Sequence, residues 1–237
     1  MITLERLADI DIVLALCDDQ ANFLREYAPS VQVRIVPHGV STEFFTPELA
    51  RAREFLTPNE RPFRLLGVGH WLRDYPMALK AVAQLNALGM PCEYTIICHN
   101  FPAGLELPSN VRVVSGLSDD ALLASYHQAD ALLLPMRSAT ANNAVLESMA
   151  SGLPVFTTDV GGIAEMTDGA AFLAPAGDAQ ALALGIHHAA YHPKIRQEMI
   201  QAGLKRAQSL NWSRVARQLE AVYHEAITCK ERRHAGR

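Results

Sequence analysis

Asn142-Asn143-Ala144-Val145-Leu146-Glu147-Ser148-Met149-Ala150-Ser151-Gly152-Leu153-Pro154-Val155-Phe156-Thr157-Thr158-Asp159-Val160-Gly161-Gly162-Ile163-Ala164-Glu165 reads as a polar turn, a short helix, a Gly-Leu-Pro break, a buried strand and a second glycine turn. Asn142 and Asn143 suit an N-cap, where a side-chain oxygen satisfies bare backbone N–H groups. Ala144 to Ala150 are good helix formers, and Gly152 followed by Pro154 gives the expected stop. A helix that starts at the carboxyl end of a strand points free N–H groups and a positive dipole end at the crevice, which favours an anion. Glu147 lies one turn beyond Asn143 on the same face, so a carboxylate stands beside that anion site. Phosphate next to a ribose diol is the ligand that such a pair of groups suits.

On either side of this stretch the elements alternate. Strands are expected at Ile10 to Leu16, Val31 to Val36, Phe63 to Val68, Glu93 to Cys98, Asn110 to Val114, Ala131 to Leu134, Pro154 to Thr157 and Ala171 to Leu173. Helices are expected at Gln20 to Tyr27, Glu48 to Phe55, Met77 to Leu88, Asp119 to His127 and Ala179 to Tyr191, with a long amphipathic region from Pro193 to about Lys230. Strand–helix alternation argues an α/β fold, a Rossmann-like parallel sheet with helices on both faces. Such sheets bind ligands outside the carboxyl ends of their strands.

The quoted stretch resembles the signature of the group 1 (family 4) retaining glycosyltransferases of GT-B architecture. That pattern is a glutamate, seven residues, a second glutamate, then Ala-Met-Ala-Cys-Gly-Leu-Pro-Val and a Thr-Asp-Val-Gly-Gly turn. Glu147-Ser-Met-Ala-Ser-Gly-Leu-Pro-Val and Thr158-Asp159-Val160-Gly161-Gly162-Ile163-Ala164-Glu165 are similar to its second half. Val36-Pro37-His38-Gly39-Val40 with Phe44 and Phe45 resembles the family's entry into its donor-binding domain. Gly116, Leu122, Tyr126 and Ala129 to Pro135 resemble its middle helix and strand, and Trp212 to Tyr223 its closing helix.

The resemblance implies one half of a GT-B fold. Residues 1–36 would be a remnant of an N-terminal domain. Residues 37–237 would be the nucleotide-sugar-binding domain with its closing C-terminal helix. It implies a nucleotide-diphosphate sugar as donor substrate, transfer of the glycosyl group with retention to an acceptor glycan or other hydroxyl acceptor, no cofactor and no metal. The family relies on a helix N-terminus, an arginine and a lysine to neutralise the leaving diphosphate. Here the helix end is Asn142, Asn143 and Ala144. In the loop Gly69-His70-Trp71-Leu72-Arg73-Asp74-Tyr75-Pro76, Arg73 stands where the lysine is expected and His70 where the arginine would be. Arg73 and Glu147 are thus the expected catalytic residues, and Gly69, His70, Arg73, His99, Asn142, Asn143, Ala144 and Glu147 the expected donor-binding set. His99 belongs to Cys98-His99-Asn100-Phe101-Pro102, which replaces the family's Gly-Asp-Gly-Pro near the nucleobase; an ordinary turn is the competing reading.

Three departures shape the alternatives. Eight residues before Glu147 stands Ala139, not the first glutamate of the signature. His70 replaces an arginine, and an imidazole, unlike a guanidinium, is not a permanent cation. On the resemblance, only Ile10 to Val36 corresponds to the first domain, so the chain would be either a fragment or a half-enzyme that needs a partner. A non-catalytic nucleotide-sugar-binding subunit, completed by a partner or by self-association, is therefore the second reading, and a sugar-nucleotide epimerase lacks the added acid/base pair it would need.

Composition agrees with a globular chain. Apolar residues make up 49% and charged residues 19% of 237, enough for a substantial core. A formal charge of −4 provides no basic field for nucleic acid. No run approaches the roughly 20 apolar residues of a transmembrane segment. Met1 to Leu16, with Glu5, Asp9 and Asp11, does not read as a signal peptide. Cys17, Cys92, Cys98 and Cys229 show no paired spacing, as expected of reduced thiols in a cytoplasmic protein. His187, His188 and His192 lack the acidic partner of a zinc motif. Glu165 is expected to cap the helix after Gly161-Gly162. Leu210, Trp212, Val215, Leu219 and Val222 form a stripe that must pack on the N-terminal strand–helix–strand or stay exposed.

Overall fold

The computed structural model describes residues 10–48 and 55–235, with side chains as far as residue 231. The helix expected over Glu48 to Phe55 lies almost wholly outside the described residues. Chain order is β1 (Ile12–Ala15), α1 (Asp18–Tyr27), β2 (Gln32–Ile35), β3 (Phe63–Val68), α2 (Tyr75–Ala87), β4 (Cys92–Ile97), β5 (Val111–Val114), α3 (Asp119–Gln128), β6 (Ala131–Leu134) and α4 (Asn143–Ala150). It continues with β7 (Val155–Thr158), α5 (Ile163–Thr167), β8 (Phe172–Ala174), α6 (Ala179–Tyr191), α7 (Pro193–Ser209) and α8 (Trp212–Ala235).

Six strands form one parallel sheet in the order β5-β4-β3-β6-β7-β8. Alternation along each strand sends side chains to opposite faces. Leu65, Tyr94, Ile96, Leu133 and Phe156 bury one face under α2 and α6. Leu66, Leu132, Leu134 and Val155 bury the other under α3, α4, α5 and α7. With both faces covered, the central strands read as continuous apolar runs, as Ala131-Leu-Leu-Leu134 does. The chain leaves β3 toward β4 and β5, then returns to β6 and proceeds to β7 and β8. The crevice above β3 and β6 is therefore the topological switch point.

β1 and β2 pair in parallel as a separate two-stranded sheet, from Ile12 opposite Gln32 to Ala15 opposite Ile35, with α1 between them. Their core is small, built on Ala15, Ala21 and Val33 with Ala28 and Val31 alongside.

The helical region expected from Pro193 to Lys230 is present as two helices, α7 and α8, parted at Leu210-Asn211. Val40 causes the break: its N–H donates to the Leu210 carbonyl (2.9 Å) and its carbonyl accepts from the Trp212 N–H (3.2 Å). Asn211 Oδ1 then accepts the Arg214 N–H at 2.9 Å and starts α8. Of the apolar stripe on this region, Leu210 and Val215 are buried, Leu219 and Val222 half-buried, and Trp212 half-exposed. The Trp212 ring lies over Gly39, where any Cβ would fall 2.5 Å from it.

Candidate functional site

Two segments meet above the switch point. On one side, Asn142 caps α4 through Oδ1, which accepts the Val145 N–H at 3.2 Å. The Asn142 carbonyl takes the Leu146 N–H, and among the described residues the Asn143 and Ala144 amides have no partner. Gly152 ends the helix at φ +68, with its own N–H on Met149 and that of Leu153 on Ser148. This is the hydrogen-bonding pattern of a glycine C-cap. The resulting α4 is short and almost wholly buried, with its bare N–H groups at the carboxyl end of β6.

On the other side, β3 runs into Gly69 at φ +93. The loop is pinned at several points. Asp74 N–H donates to the Pro135 carbonyl (2.8 Å), Arg137 N–H to the Leu72 carbonyl (2.9 Å), and the Tyr75 hydroxyl to the Gly69 carbonyl. Leu72 is held at φ +58, a left-handed conformation that few residues other than glycine adopt without strain. Arg73 folds back over this loop. Its Nε donates to the Val68 carbonyl and its Nη1 to the Trp71 carbonyl, both at 3.0 Å. Nη2 has no hydrogen-bond partner among the described residues, and a Cβ at position 69 would lie 2.9 Å from it. Glycine therefore keeps that nitrogen clear. Burial lowers the Arg73 pKa, yet a guanidinium remains protonated. Among the described residues no acid pairs with it.

Glu147 is half-buried on α4, facing the same mouth. Its Oε2 accepts the Tyr126 hydroxyl at 2.7 Å, and Oε1 has no partner among the described residues. Burial raises its pKa; the Tyr126 hydrogen bond, His38 and Arg73 pull it back down, while Asp119 adds to the rise. A half-buried cation and a half-buried carboxylate thus share one opening without neutralising each other.

Gly69 and Arg73 stand on one side of the carboxyl end of the sheet and Asn142, Asn143, Ala144 and Glu147 on the other, with Met136 Sδ between them, 3.7 Å from Arg73 Nη1 and 2.9 Å from Asn142 Nδ2. His70 and His99 lie exposed on the carboxyl side of the sheet, with no side-chain hydrogen bond among the described residues. His99 follows β4, whose Ile97 carbonyl takes the Gly69 N–H, and Phe101 packs on Tyr75 at 5.1 Å between centroids. Ala139 is buried, and its carbonyl accepts the Gly162 N–H at 2.9 Å. Gly161, at φ +52, passes so close to that carbonyl that a Cβ would collide with it.

Sequence reasoning missed Tyr126 as the partner of Glu147, Tyr75 as the anchor of Gly69, and His38 as a neighbour that lowers the Glu147 pKa. The signal available for the tyrosines was that a buried phenol needs an acceptor. Glu165 departs from expectation: its Oε2 accepts the Asp18 N–H at 2.7 Å, so it caps α1 rather than its own helix. Among the described residues no group of three or more His, Cys, Asp or Glu side chains is arranged to hold a metal ion, and no helix is long and apolar enough to cross a membrane.

Residues 62–190 match the family model described as glycosyl transferases group 1. A D-inositol 3-phosphate glycosyltransferase of Acidothermus cellulolyticus is 28% identical over 225 residues, which are 86% of this chain and 50% of that protein. An MMP alpha-(1->4)-mannosyltransferase of Mycolicibacterium hassiacum is 29% identical over 221 residues, 87% of this chain and 52% of that one. The chain therefore spans about half the length of these curated relatives. The solved structure of sucrose-phosphate synthase from Thermosynechococcus elongatus superimposes with a TM-score of 0.78 at 22% identity, covering 95% of this chain and 60% of that one. At that identity the likeness carries the fold.

Proposed function

The chain belongs to the group 1 glycosyltransferases, and on that premise we propose that it is the donor-binding half of a retaining enzyme, holding a nucleotide-diphosphate sugar over the β3–β6 switch point. The observation that supports this reading is that, among the described residues, Arg73 Nη2 and the Asn143 and Ala144 amides have no hydrogen-bond partner at the carboxyl end of the sheet. The diphosphate sits on the α4 N-terminus and Arg73, and Glu147 accepts the ribose hydroxyls. As the anomeric bond breaks, charge grows on the leaving diphosphate. Donors already fixed in place are then worth more than donors that must reorganise, which is what the pinned Arg73 supplies. His70 adds a further contact to the phosphates and His99 one to the base. The setting is cytoplasmic and the chemistry needs no metal. Residues 1–36 belong with an acceptor-side domain and residues 37–237 form the donor domain. The acceptor is a glycan or other hydroxyl compound, held by a region beyond this chain or by a partner.

Ala139 supports a second reading, a nucleotide-sugar-binding subunit without transferase activity of its own. Where the resembling enzymes place a carboxylate near the sugar, this chain has a buried methyl group.

Calorimetric titration with UDP, GDP and their sugars tests the site. Glu147→Ala and Arg73→Ala should each weaken binding by roughly tenfold or more, the size of a charge-assisted hydrogen bond, with the fold intact. Unchanged affinity in both variants would sink the assignment. The chain alone should transfer poorly, because holding an acceptor hydroxyl in line is worth orders of magnitude in rate.

A further inference from the structure

We propose that Tyr126 is the positioning residue of this site: its hydroxyl clamps Glu147 Oε2 so that Oε1 is presented to the ribose hydroxyls of the nucleotide. The inference rests on the donor-site reading above and deepens it.

Tyr126 comes from α3, and nothing on its ring reaches solvent. Phe45 meets it edge-on, with centroids 5.9 Å apart and planes at 82°, and the core beneath α3 and α4 closes the remaining sides. The ring is therefore fixed before any ligand arrives. Three buried tyrosines approach this part of the sheet, and their hydroxyls are used differently. Tyr94 donates to the Leu133 carbonyl (3.0 Å) and Tyr75 to the Gly69 carbonyl, both backbone acceptors that any fold could supply. Tyr126 donates instead to a carboxylate at the mouth, at 2.7 Å.

A glutamate has three rotatable bonds, and ordering them on binding weakens affinity. A fixed phenol holding one oxygen removes most of that freedom in advance and leaves Oε1 in one direction. The same bond acts on the charge. Burial and Asp119, at the start of α3, push the Glu147 carboxyl above its ordinary range. Tyr126, His38 from the segment before Val40, and Arg73 from the β3 loop favour the carboxylate. Burial holds the Tyr126 phenol well above its usual value, so it remains a donor throughout the pH range in which Glu147 titrates.

The sign for a variant follows. In Tyr126→Phe the hydrogen bond that lowers the Glu147 pKa is gone, so the carboxyl takes up its proton at a higher pH than in the parent. A ribose diol donates its hydrogens to the ionised form, and affinity is lost as pH falls through that higher value.

The test is calorimetric titration of the full chain and of Tyr126→Phe with UDP and GDP and with their 2′-deoxy counterparts, across a pH series that begins at about the ordinary glutamate value and rises to neutrality and beyond. Phenylalanine keeps the ring and its packing, and a melting curve checks the fold. The expected result is roughly tenfold weaker binding of the ribonucleotides, the size of one hydrogen bond to a charged group. Preference over the 2′-deoxy compounds should shrink, and the acid loss of affinity should move to higher pH. If Tyr126→Phe only lowers the melting temperature, with affinity, ribose preference and pH profile as in the parent, Tyr126 is structural and the proposal is overturned. In that case loss of binding in Glu147→Ala would leave the donor-site reading standing. Absence of nucleotide binding by the parent chain would overturn both.

Discussion

Two strand–helix–strand units of this molecule have opposite fates. β6–α4–β7 and β1–α1–β2 are both parallel strand–helix–strand units with four-residue strands. Every residue of β6 and β7 is buried, whereas β1 and β2 each bury one of four. Local sequence does not account for the contrast, since Ile12-Val-Leu-Ala15 is as apolar as Ala131-Leu-Leu-Leu134. What differs is the flanks: β6 lies between β3 and β7 with helices on both faces, and β1 has β2 alone among the described strands. Burial is a property of neighbours, and the candidate site lies where neighbours are most complete.

Substitution of the buried centre should have the largest effect. Leu132, fully buried on β6, leaves a cavity in a close-packed sheet when cut to alanine. Leu132→Ala is expected to lower global stability by about 2–5 kcal/mol, read from urea unfolding. Val33→Ala, on β2, removes apolar volume from a far smaller cluster. It is expected to appear as faster hydrogen exchange at β1 and β2, in a unit that opens separately, rather than in the main transition. Equal shifts of the main transition by both variants would show that the two units unfold as one.

Gly162 tests the join between them. A Cβ there would fall 2.5 Å from the Thr140 carbonyl oxygen and 2.6 Å from the Cys17 Cβ, one neighbour in each unit. Gly162→Ala should cost about 1–3 kcal/mol, typical of overpacking, and raise exchange in residues 12–35 most of all. If exchange there stays as in the parent, the contact at Cys17 does not hold the N-terminal unit in place.

How much of this was legible in the sequence depends on how far apart the causes lie along the chain. α4 was legible because Asn142, Gly152 and Pro154 are local signals. The Gly69–Arg73 loop was legible as a loop at a strand end. The break before α8 was not, because its cause is Val40, far away in sequence, inserting its backbone between Leu210 and Trp212. Glu165 reads in the sequence as a cap, and it is one, but for α1, where Asp18 lies 147 residues away. The five-residue α5 is too short for periodicity to reveal. In the candidate site, residue types at strand and helix ends were readable. The posture of Arg73, folded onto Val68 and Trp71, and the Tyr126 clamp both depend on contacts that no spacing rule encodes.

A smaller effect, of opposite sign, is expected at Glu147. Its folded-state carboxyl is raised above the ordinary range, chiefly by burial, so the protonated form suits the fold better than the ionised one. Stability from this group is present in acid, below the unfolded value, and is lost as pH rises through the raised folded value. Glu147→Gln keeps an acceptor for Tyr126 and removes the charge. Its melting temperature should exceed the parent's near pH 7, with the gain disappearing below about pH 4, where both states are protonated. A gain that persists in acid would mean that something other than the charge is responsible. A stabilising variant here would show that the best-packed unit gives up stability at a position of the candidate site.

The smallest effect is expected at the rim of the other unit. Arg34 on β2 reaches Glu225 on α8 through Nε to Oε2 at 3.0 Å and through Nη2 to Oε1. The bidentate fork raises the arginine pKa and lowers that of the glutamate, but both side chains are more than a third exposed. Water and salt screen such a pair, and ordering two long side chains offsets most of the attraction. Arg34→Ala should therefore leave the main unfolding transition where it is. What it should change is the tether. β2 has no strand on its outer side among the described residues, and this ion pair is a direct polar link from it to α8. Exchange at β1 and β2 should quicken in Arg34→Ala at low salt. The parent should approach the variant as salt is raised, since screening removes in one what mutation removes in the other. If parent and variant exchange alike at low salt, the link is ornamental, and the hold on this unit must come from Glu165 at the start of α1 and from the close approach of Cys17 to Gly162.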